Sequence, residues 1–382
     1  MKQMKTLKKL FATLMAMTFA FGASSCLLEN EPKMEETFVA KEDVKNVILL
    51  IGDGMGPNQI RAGALYKGEP LFMQTLQQKT YVETCSASDE VTDSAAAATA
   101  LATGVRTNNG RVGIDPSGNL LETIVDIAKA NGKRTGVITT EGLNGATPMG
   151  FSGHATNRNY SDELLETAST TSNVDLFASY HFTSYYDLFP NAGYEVIEDV
   201  DLISESTADK VFGTYEILAN APSMSADSEA VAFDRLVMEA LDYLSKDEDG
   251  FFLMAEGAHI DHGGHNNDIM YMLTELLAFD DMVRAVVHWA KERQDTLVLV
   301  TADHETGGLE IDAKATTENL LEVGEDGYEY FEWTTSGHTD TNVCFYAYGS
   351  KVNFMKYSSL NTAKRIKNTD INKIMKDFII KA

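Results

Sequence analysis

Short runs of hydrophobic residues alternate with segments of helical apolar spacing along most of this chain. Uninterrupted apolar runs, typical of strands buried on both faces, occur at residues 45–51, 134–140, 250–255, 296–301 and 343–348. Apolar positions at helical spacing occur at residues 120–130, 233–244 and 268–293. This alternation predicts an α/β fold with a central, mostly parallel sheet flanked by helices on both faces.

Two segments depart from that alternation. Residues 160–226 are aromatic-rich at 180–186 and acidic and irregular at 195–209, which favours a reduced surface insertion with little chemistry. Residues 351–382 are predicted to form a basic, mostly helical tail.

In the long helix at 268–293 we expect the inward side to carry the apolar side chains Met270, Leu273, Leu276, Leu277 and Met282.

The first 25 residues have the pattern of a secretory signal. Four lysines precede an apolar run over residues 10–21 that is too short for an ordinary membrane span, and small residues then lead to Cys26. The segment resembles a bacterial lipobox, which predicts lipidation of Cys26, a tether over residues 26–40 and one catalytic domain over 41–382. The alternative is an ordinary cleavage site with an incidental cysteine. Either pattern predicts export, to the periplasm or as an outer-membrane-anchored lipoprotein of a bacterium, with membrane contact only through the lipid.

The net charge of −26 limits the classes of molecule that this chain is expected to bind. Such a surface repels nucleic acid, so we expect no nucleic-acid-binding role. An anionic substrate can bind only where the local charge of the protein is positive, and bound metal ions can provide that positive charge. Cys85 and Cys344 make no disulfide framework, and we expect no bridge between them.

The stretch VTDSAAAATALATG over residues 91–104 combines a helix start with a candidate nucleophile. Asp93 and Ser94 are both favourable N-cap residues, and the alanines after them are strong helix formers. A serine at that position meets unpaired backbone N–H groups, which favour an alkoxide or a bound anion. Alone, the stretch is equally well explained as a capped, tightly packed alanine-rich helix.

Polar side chains gather in the loops next to the predicted strands. Five of the eight histidines lie there: His259, His262, His265, His304 and His338. The spacing predicts one metal site from Asp261, His265 and His338, and a second from Asp53, Asp303 and His304; two such mixed N/O sets suit catalytic zinc. Oxygen donors from Asp53, Thr147 and Glu256 suit a hard cation such as magnesium. Any one of these histidines alone is more simply explained as a hydrogen-bonded loop residue.

These groups together predict phosphoryl transfer. Two zinc ions about 4 Å apart can clamp the attacking and leaving oxygens of an in-line displacement. Ser94, bound to one ion, becomes the nucleophile, and Arg158, oriented by Asp93, can hold two phosphoryl oxygens.

The chain resembles the alkaline phosphatases over nearly all of its mature length. The matching motifs are GDGMG at 52–56, VTDSAAAATALATGVRTNNGRVGID at 91–115, ATP at 146–148, NR at 157–158, EGAHIDHGGH at 256–265, TADH at 301–304 and SGHT at 336–339. The resemblance implies hydrolysis of phosphate monoesters through a phosphoserine at Ser94, with Arg158 as the phosphate clamp. It implies the same two zinc sites and the same magnesium site, with Ser94 also a metal ligand and His262 beside the metals.

Two departures from the family pattern change the expectations. The family usually has an aspartate or histidine directly before the ATP motif, and this chain has Gly145. We therefore expect Asn144 or water to substitute there, or magnesium to bind more loosely. The chain is also short for the family, which leaves the homodimer common in that family an open expectation.

Two other functions are compatible with parts of this pattern. A phosphodiesterase or another phosphoryl hydrolase of the same superfamily would use a similar metal centre, although diesterases typically have threonine as nucleophile and lack the clamping arginine. Sulfatases need a Cys/Ser-x-Pro-x-Arg motif, which is not found around Ser94. A non-catalytic metal-binding surface lipoprotein is the remaining alternative.

Overall fold

A computed structural model describes residues 38–180, 187–215, 232–321 and 330–380. The predicted leader, Cys26 and most of the tether lie outside these residues, so export and lipidation stay predictions. The strands, numbered in chain order, are β1 Asn46–Gly52, β2 Gln78–Glu83, β3 Arg134–Thr139, β4 Leu176–Tyr180, β5 Glu195–Ile197, β6 Val211–Tyr215, β7 Phe251–Gly257, β8 Thr296–Thr301, β9 Glu305–Thr306, β10 Leu309–Ile311, β11 Phe331–Trp333, β12 His338–Thr339, β13 Val343–Tyr348 and β14 Arg365–Lys367.

Ten of the strands in the described residues form one sheet, in the order β14-β2-β13-β8-β1-β7-β3-β4-β6-β5. Every neighbouring pair is parallel except the two pairs made by β13, which runs antiparallel to both β2 and β8. The central strands β1, β7 and β8 are buried along their whole length, as their continuous apolar sequences predict. The α/β class and the mostly parallel sheet expected from the sequence are confirmed.

Two groups of helices flank this sheet. The helices, numbered in chain order, are α1 Pro57–Lys67, α2 Ser94–Thr103, α3 Ile124–Ala130, α4 Ala146–Ser152, α5 Ser161–Thr170, α6 Leu188–Asn191, α7 Phe233–Leu244, α8 His259–His265, α9 Ile269–Arg293, α10 Thr317–Leu321, α11 Phe354–Tyr357 and α12 Asn368–Ile379. One group is built on α2, which packs against α4 and α12, and the other on α9, which packs against α1, α7 and α8. Short 3-10 helices occur at Lys41–Asp43, Phe72–Thr75 and Val200–Leu202.

Three sequence expectations about these elements are wrong. Residues 160–226 are not simply a surface insertion, because β4, β5 and β6 extend the central sheet and β6 is fully buried. The C-terminal tail contains β14, which pairs with β2 at the sheet edge before α12 begins. Met270 is 40% exposed, whereas Leu273, Leu276 and Met282 are buried in α9 as expected. The first two errors concern strand pairing between distant segments, which local periodicity does not report.

The alanines of α2 have a packing role. Gly150 of α4 lies so close to α2 that a Cβ atom there would stand 2.5 Å from the Cβ of Ala98 and 3.1 Å from the Thr99 nitrogen. Larger residues on either helix would therefore push the two apart. Since α2 begins with Ser94 and α4 carries Thr147, this contact fixes the separation of two candidate site residues.

The remaining expectations concern cysteines and membrane contact. Cys85 is a free thiol. Within the described ranges, none of the helices combines the length and apolar character needed to cross a bilayer.

We predict that Gly150→Ala lowers the free energy of unfolding by about 1–3 kcal/mol, because the added methyl group overpacks the contact between α2 and α4. Urea denaturation checks this. The matched control is the double variant Ala98→Gly/Gly150→Ala, which moves one methyl group from α2 to α4 and should recover part of the loss. Equal stability of Gly150→Ala and the unaltered protein would show that the helices are not in tight contact.

Candidate metal and phosphate site

The carboxyl ends of four neighbouring parallel strands meet at one edge of the sheet. In β8, β1, β7 and β3 the aligned residues are Thr301, Ile51, Glu256 and Thr139. The chain continues from these positions into the loops that contain the predicted ligands, where open α/β sheets place their ligand-binding groups. Because β13 is antiparallel, its amino end lies at the same edge, so the loop before it brings His338 to the other ligands.

The first predicted metal set is assembled within hydrogen-bonding distance. Asp261 and His265 are one turn apart on α8, with 3.2 Å between the carboxylate and Nε2. The Nε2 atom of His338 lies 3.2 Å from that of His265 and 3.7 Å from the Asp261 carboxylate. The hydrogen bond to Asp261 raises the pKa of His265 to about 9, whereas burial lowers the pKa of His338 to about 4.

Backbone carbonyls orient both imidazoles. Nδ1 of His265 lies 2.6 Å from the Ser336 oxygen, and Nδ1 of His338 lies 2.9 Å from the Thr92 oxygen. A carbonyl oxygen only accepts, so each Nδ1 is the donor and the lone pair of a neutral ring is on Nε2. Two Nε2 lone pairs that face each other need a cation or a proton between them, which is the arrangement expected of metal-binding histidines.

The second predicted set lies at the ends of β1 and β8. Nε2 of the fully buried His304 is 3.1 Å from the Asp303 carboxylate and 3.6 Å from the Asp53 carboxylate. Gly54 allows the close approach: it has φ +71°, donates its N–H to Asp303 at 3.1 Å, and a Cβ atom there would be 2.6 Å from the Asp261 Cα. The two sets adjoin, because the rings of His304 and His338 are stacked with 3.6 Å between centroids.

The oxygen-rich set lies on the other side of Asp53. Thr147 donates to the second oxygen of Asp53 at 3.5 Å, and Thr139 donates to one oxygen of Glu256 at 2.6 Å. Burial, reinforced by the surrounding carboxylates, raises the pKa of Asp53 well above its usual value. Burial raises the pKa of Glu256 in the same way.

Ser94 is the first residue of α2 and faces the second metal set. Its Oγ lies 3.2 Å from Nε2 of His304. Asp93 caps the helix by accepting from the Ala96 N–H at 3.0 Å, and its other oxygen lies 3.5 Å from the Arg158 guanidinium. The Gly110 N–H donates to that same oxygen, and the Gly110 carbonyl accepts from the Arg158 N–H. One aspartate thus fixes the helix start, the arginine and the intervening loop.

Metal ions fit these residues. Among the described residues, the buried Glu256 Oε1 has no hydrogen-bond partner, and Asp303 Oδ2 and Asp53 Oδ1 both converge on the single Nε2 atom of His304. An orphaned buried carboxylate oxygen is costly, and a bound cation removes that cost. The groupings Asp261–His304–His338 and Asp53–Asp303–His304 each present three ligand atoms within 4.8 Å of one another. Mixed imidazole and carboxylate donors are those that zinc prefers.

The structure shows the surroundings of His262, which directly follows Asp261, and adds two other residues to the site. His262 is exposed and packs against the ring of His259, with 4.8 Å between centroids. Thr306 contacts both Asp261 and Nδ1 of His304, a bridging position that its sequence context did not indicate. Glu141, just beyond β3, also faces the site, and burial raises its pKa to about 7 although Arg158 opposes the shift. Its position after a strand's carboxyl end was the only sequence signal for it.

Comparison with known proteins identifies the family of this arrangement. A family model described as alkaline phosphatase matches residues 44–182 and 187–328. Alkaline phosphatase 4 of Bacillus subtilis (strain 168) is 32% identical over 294 residues, which are 72% of this chain and 64% of that relative. Alkaline phosphatase 3 of the same organism is 29% identical, and the match covers 96% of each chain.

Solved structures show the same fold. The alkaline phosphatase of the Antarctic bacterium TAB5 superposes with a TM-score of 0.73 at 30% identity, over 87% of this chain and 96% of that one. A variant of that enzyme has Mg bound in its M3 site. The alkaline phosphatase of Thermus thermophilus has a TM-score of 0.75 at 20% identity, over 95% of each chain, which shows likeness of fold.

We predict that zinc binds the chelator-stripped protein more tightly as the pH rises from about 7 to about 9. The His265 pKa of about 9 leaves the ring protonated over most of that range, and the proton must leave before Nε2 can bind zinc. Titration calorimetry in buffers of different ionisation enthalpy measures the proton release.

The His265→Gln variant should release fewer protons per zinc, and the control His288→Gln, an exposed position on α9, should behave like the unaltered protein. An affinity that does not change with pH would contradict the prediction.

Proposed function

This chain belongs to the alkaline phosphatase family, and on that premise we propose that it hydrolyses phosphate monoesters through a phosphoserine at Ser94. The observation that carries the proposal is the position of Ser94 Oγ, at the amino end of α2 and 3.2 Å from Nε2 of His304. A nucleophile placed beside metal ligands and helix N–H groups can react as an alkoxide.

The metal complement is part of the proposal. Zinc would be held at one site by Asp261, His265 and His338 and at the other by Asp53, Asp303 and His304. Magnesium would be held by Asp53, Thr147 and Glu256, and the Mg in a TAB5 variant supports a third cation. When bound, the ions lower the pKa of the attacking hydroxyl and neutralise the charge that develops on the reacting oxygens.

The residues of the chain position the phosphoryl group. Arg158 holds two of its non-bridging oxygens, and Asp93 keeps the guanidinium in that orientation at 3.5 Å. Ser94 Oγ, having lost its proton to solvent, then bonds to phosphorus as the bond to the leaving oxygen breaks, which gives the phosphoserine and an alkoxide that takes up a proton from solvent and leaves as the alcohol. In the second step water attacks phosphorus from the side opposite Oγ, the bond from Oγ to phosphorus breaks, and a proton of the water passes to Oγ, so that the serine hydroxyl is regenerated and inorganic phosphate is released.

The alternative within the same superfamily is phosphodiester hydrolysis. A monoester leaves three phosphoryl oxygens unsubstituted, so two of them can bind the guanidinium while the third faces the metals. A diester must place its second alkyl group near one of these positions. The Asp93–Arg158 pair therefore favours the monoester.

We predict that Ser94→Ala lowers kcat for p-nitrophenyl phosphate by about 10²–10³-fold, because the covalent step is lost. Zinc content should be retained, since six other side chains hold the two ions. Acid quenching with ³²P-labelled substrate should trap a phosphoprotein in the unaltered enzyme and none in Ser94→Ala. Hydrolysis that proceeds unchanged in the variant would overturn the proposed mechanism.

We predict that Arg158→Ala raises KM for the monoester and weakens inhibition by phosphate by about 10–100-fold, with a much smaller effect on bis-p-nitrophenyl phosphate. The matched control is Arg111→Ala, because Arg111 belongs to the same region but donates to the Asp115 and Pro116 carbonyls. Faster turnover of the diester than of the monoester by the unaltered enzyme would favour the alternative function.

A further inference from the structure

The backbone of Glu141 is fixed between two strands beside the oxygen-rich set. Its N–H donates to the Thr139 hydroxyl at 3.2 Å, and its carbonyl accepts from the Tyr180 N–H at 2.9 Å. Thr139 in turn donates to Glu256 at 2.6 Å, so one hydroxyl links the Glu141 backbone to a candidate magnesium ligand. The backbone position of Glu141 is therefore set by its hydrogen bonds to β3 and β4, and β3 is linked in turn to β7 through Thr139 and Glu256.

The Glu141 carboxylate occupies the space that a side chain at position 145 would fill. A Cβ atom built on Gly145 would lie 1.8 Å from Glu141 Oε1 and 2.6 Å from its Cδ. Gly145 has φ −55° and ψ 153°, a conformation open to any residue, so a larger side chain there would only require the flexible end of Glu141 to turn away. Position 145 is the N-cap of α4, the helix that carries Thr147 two residues later.

The groups around the Glu141 carboxylate favour a bound cation. Glu141 lies within electrostatic range of both Asp53 and Glu256, and like charges in a buried space repel. Glu256 is fully buried, and its Oε1 has no hydrogen-bond partner among the described residues. Asp53 turns its other oxygen, Oδ2, toward the same space, where its hydrogen bond from Thr147 is 3.5 Å long. A hard cation bound by several carboxylate oxygens relieves the repulsion and satisfies these atoms together.

We propose that the Glu141 carboxylate is a ligand of the magnesium ion held by Asp53, Thr147 and Glu256, and that it replaces the side chain missing at Gly145. The inference rests on the proposed function for the existence of this third site. It also replaces the expectation of loose magnesium binding, because the negative charge absent at position 145 is supplied four residues earlier.

The test is a magnesium titration of the zinc-loaded enzyme by equilibrium dialysis with elemental analysis, which does not depend on turnover. We expect Glu141→Gln to weaken magnesium binding by about 10–100-fold while zinc content stays unchanged. The rise in Tm on adding magnesium should shrink in parallel. Glu163→Gln, at an exposed position on α5, is the matched control and should bind magnesium as the unaltered enzyme does.

Moving the carboxylate separates ligation from a merely structural role. The double variant Glu141→Ala/Gly145→Asp, which moves the carboxylate to position 145, should recover magnesium binding to within a few-fold. Magnesium affinity in Glu141→Gln equal to that of Glu163→Gln would overturn the proposal, as would a double variant no tighter than Glu141→Gln. Failure of the proposed function would instead appear as an absent phosphoserine, a separate measurement.

Discussion

Four parallel strands held in fixed register concentrate negative charge at one edge of the sheet. Hydrogen bonding aligns Thr301, Ile51, Glu256 and Thr139 across β8, β1, β7 and β3, so the acidic side chains that follow cannot move apart without breaking the sheet. Buried carboxylates in contact are unstable unless a cation neutralises them. The backbone thus creates an electrostatic cost that metal binding removes, and the same ions supply the proposed chemistry.

The phosphate-binding side of the site depends on packing. Ser94 begins α2, whose small residues permit close contact with α4 at Gly150. Asp93 connects α2 to the phosphate-binding arginine. One of its oxygens caps the helix, and the other contacts Arg158 and Gly110. The proposed nucleophile Ser94 and the proposed phosphate clamp Arg158 therefore share one positioning residue, and a shift of α2 would move both.

Position 145 illustrates how such a site tolerates a change of sequence. What the cation requires is an anionic oxygen at a particular point in space, and the chain can deliver it from any backbone position within reach. The Glu141 carboxylate lies in the space next to Gly145, so it can serve as the proposed substitute for a side chain at that position. A metal site can therefore be complete even where the usual ligand is missing at its sequence position, because a residue at another position can place its ligand atom in the same space.

The sequence by itself determined the local elements and the chemistry they carry. Continuous apolar runs predicted the central strands, and residue types with their spacing predicted which side chains meet at Ser94 and His304. Only the tertiary structure decided the sheet membership of β4 to β6 and of β14, the antiparallel direction of β13 and the place of Glu141. Periodicity reports which face of a segment is buried, whereas strand partners and shared volumes arise from contacts between residues far apart in the chain.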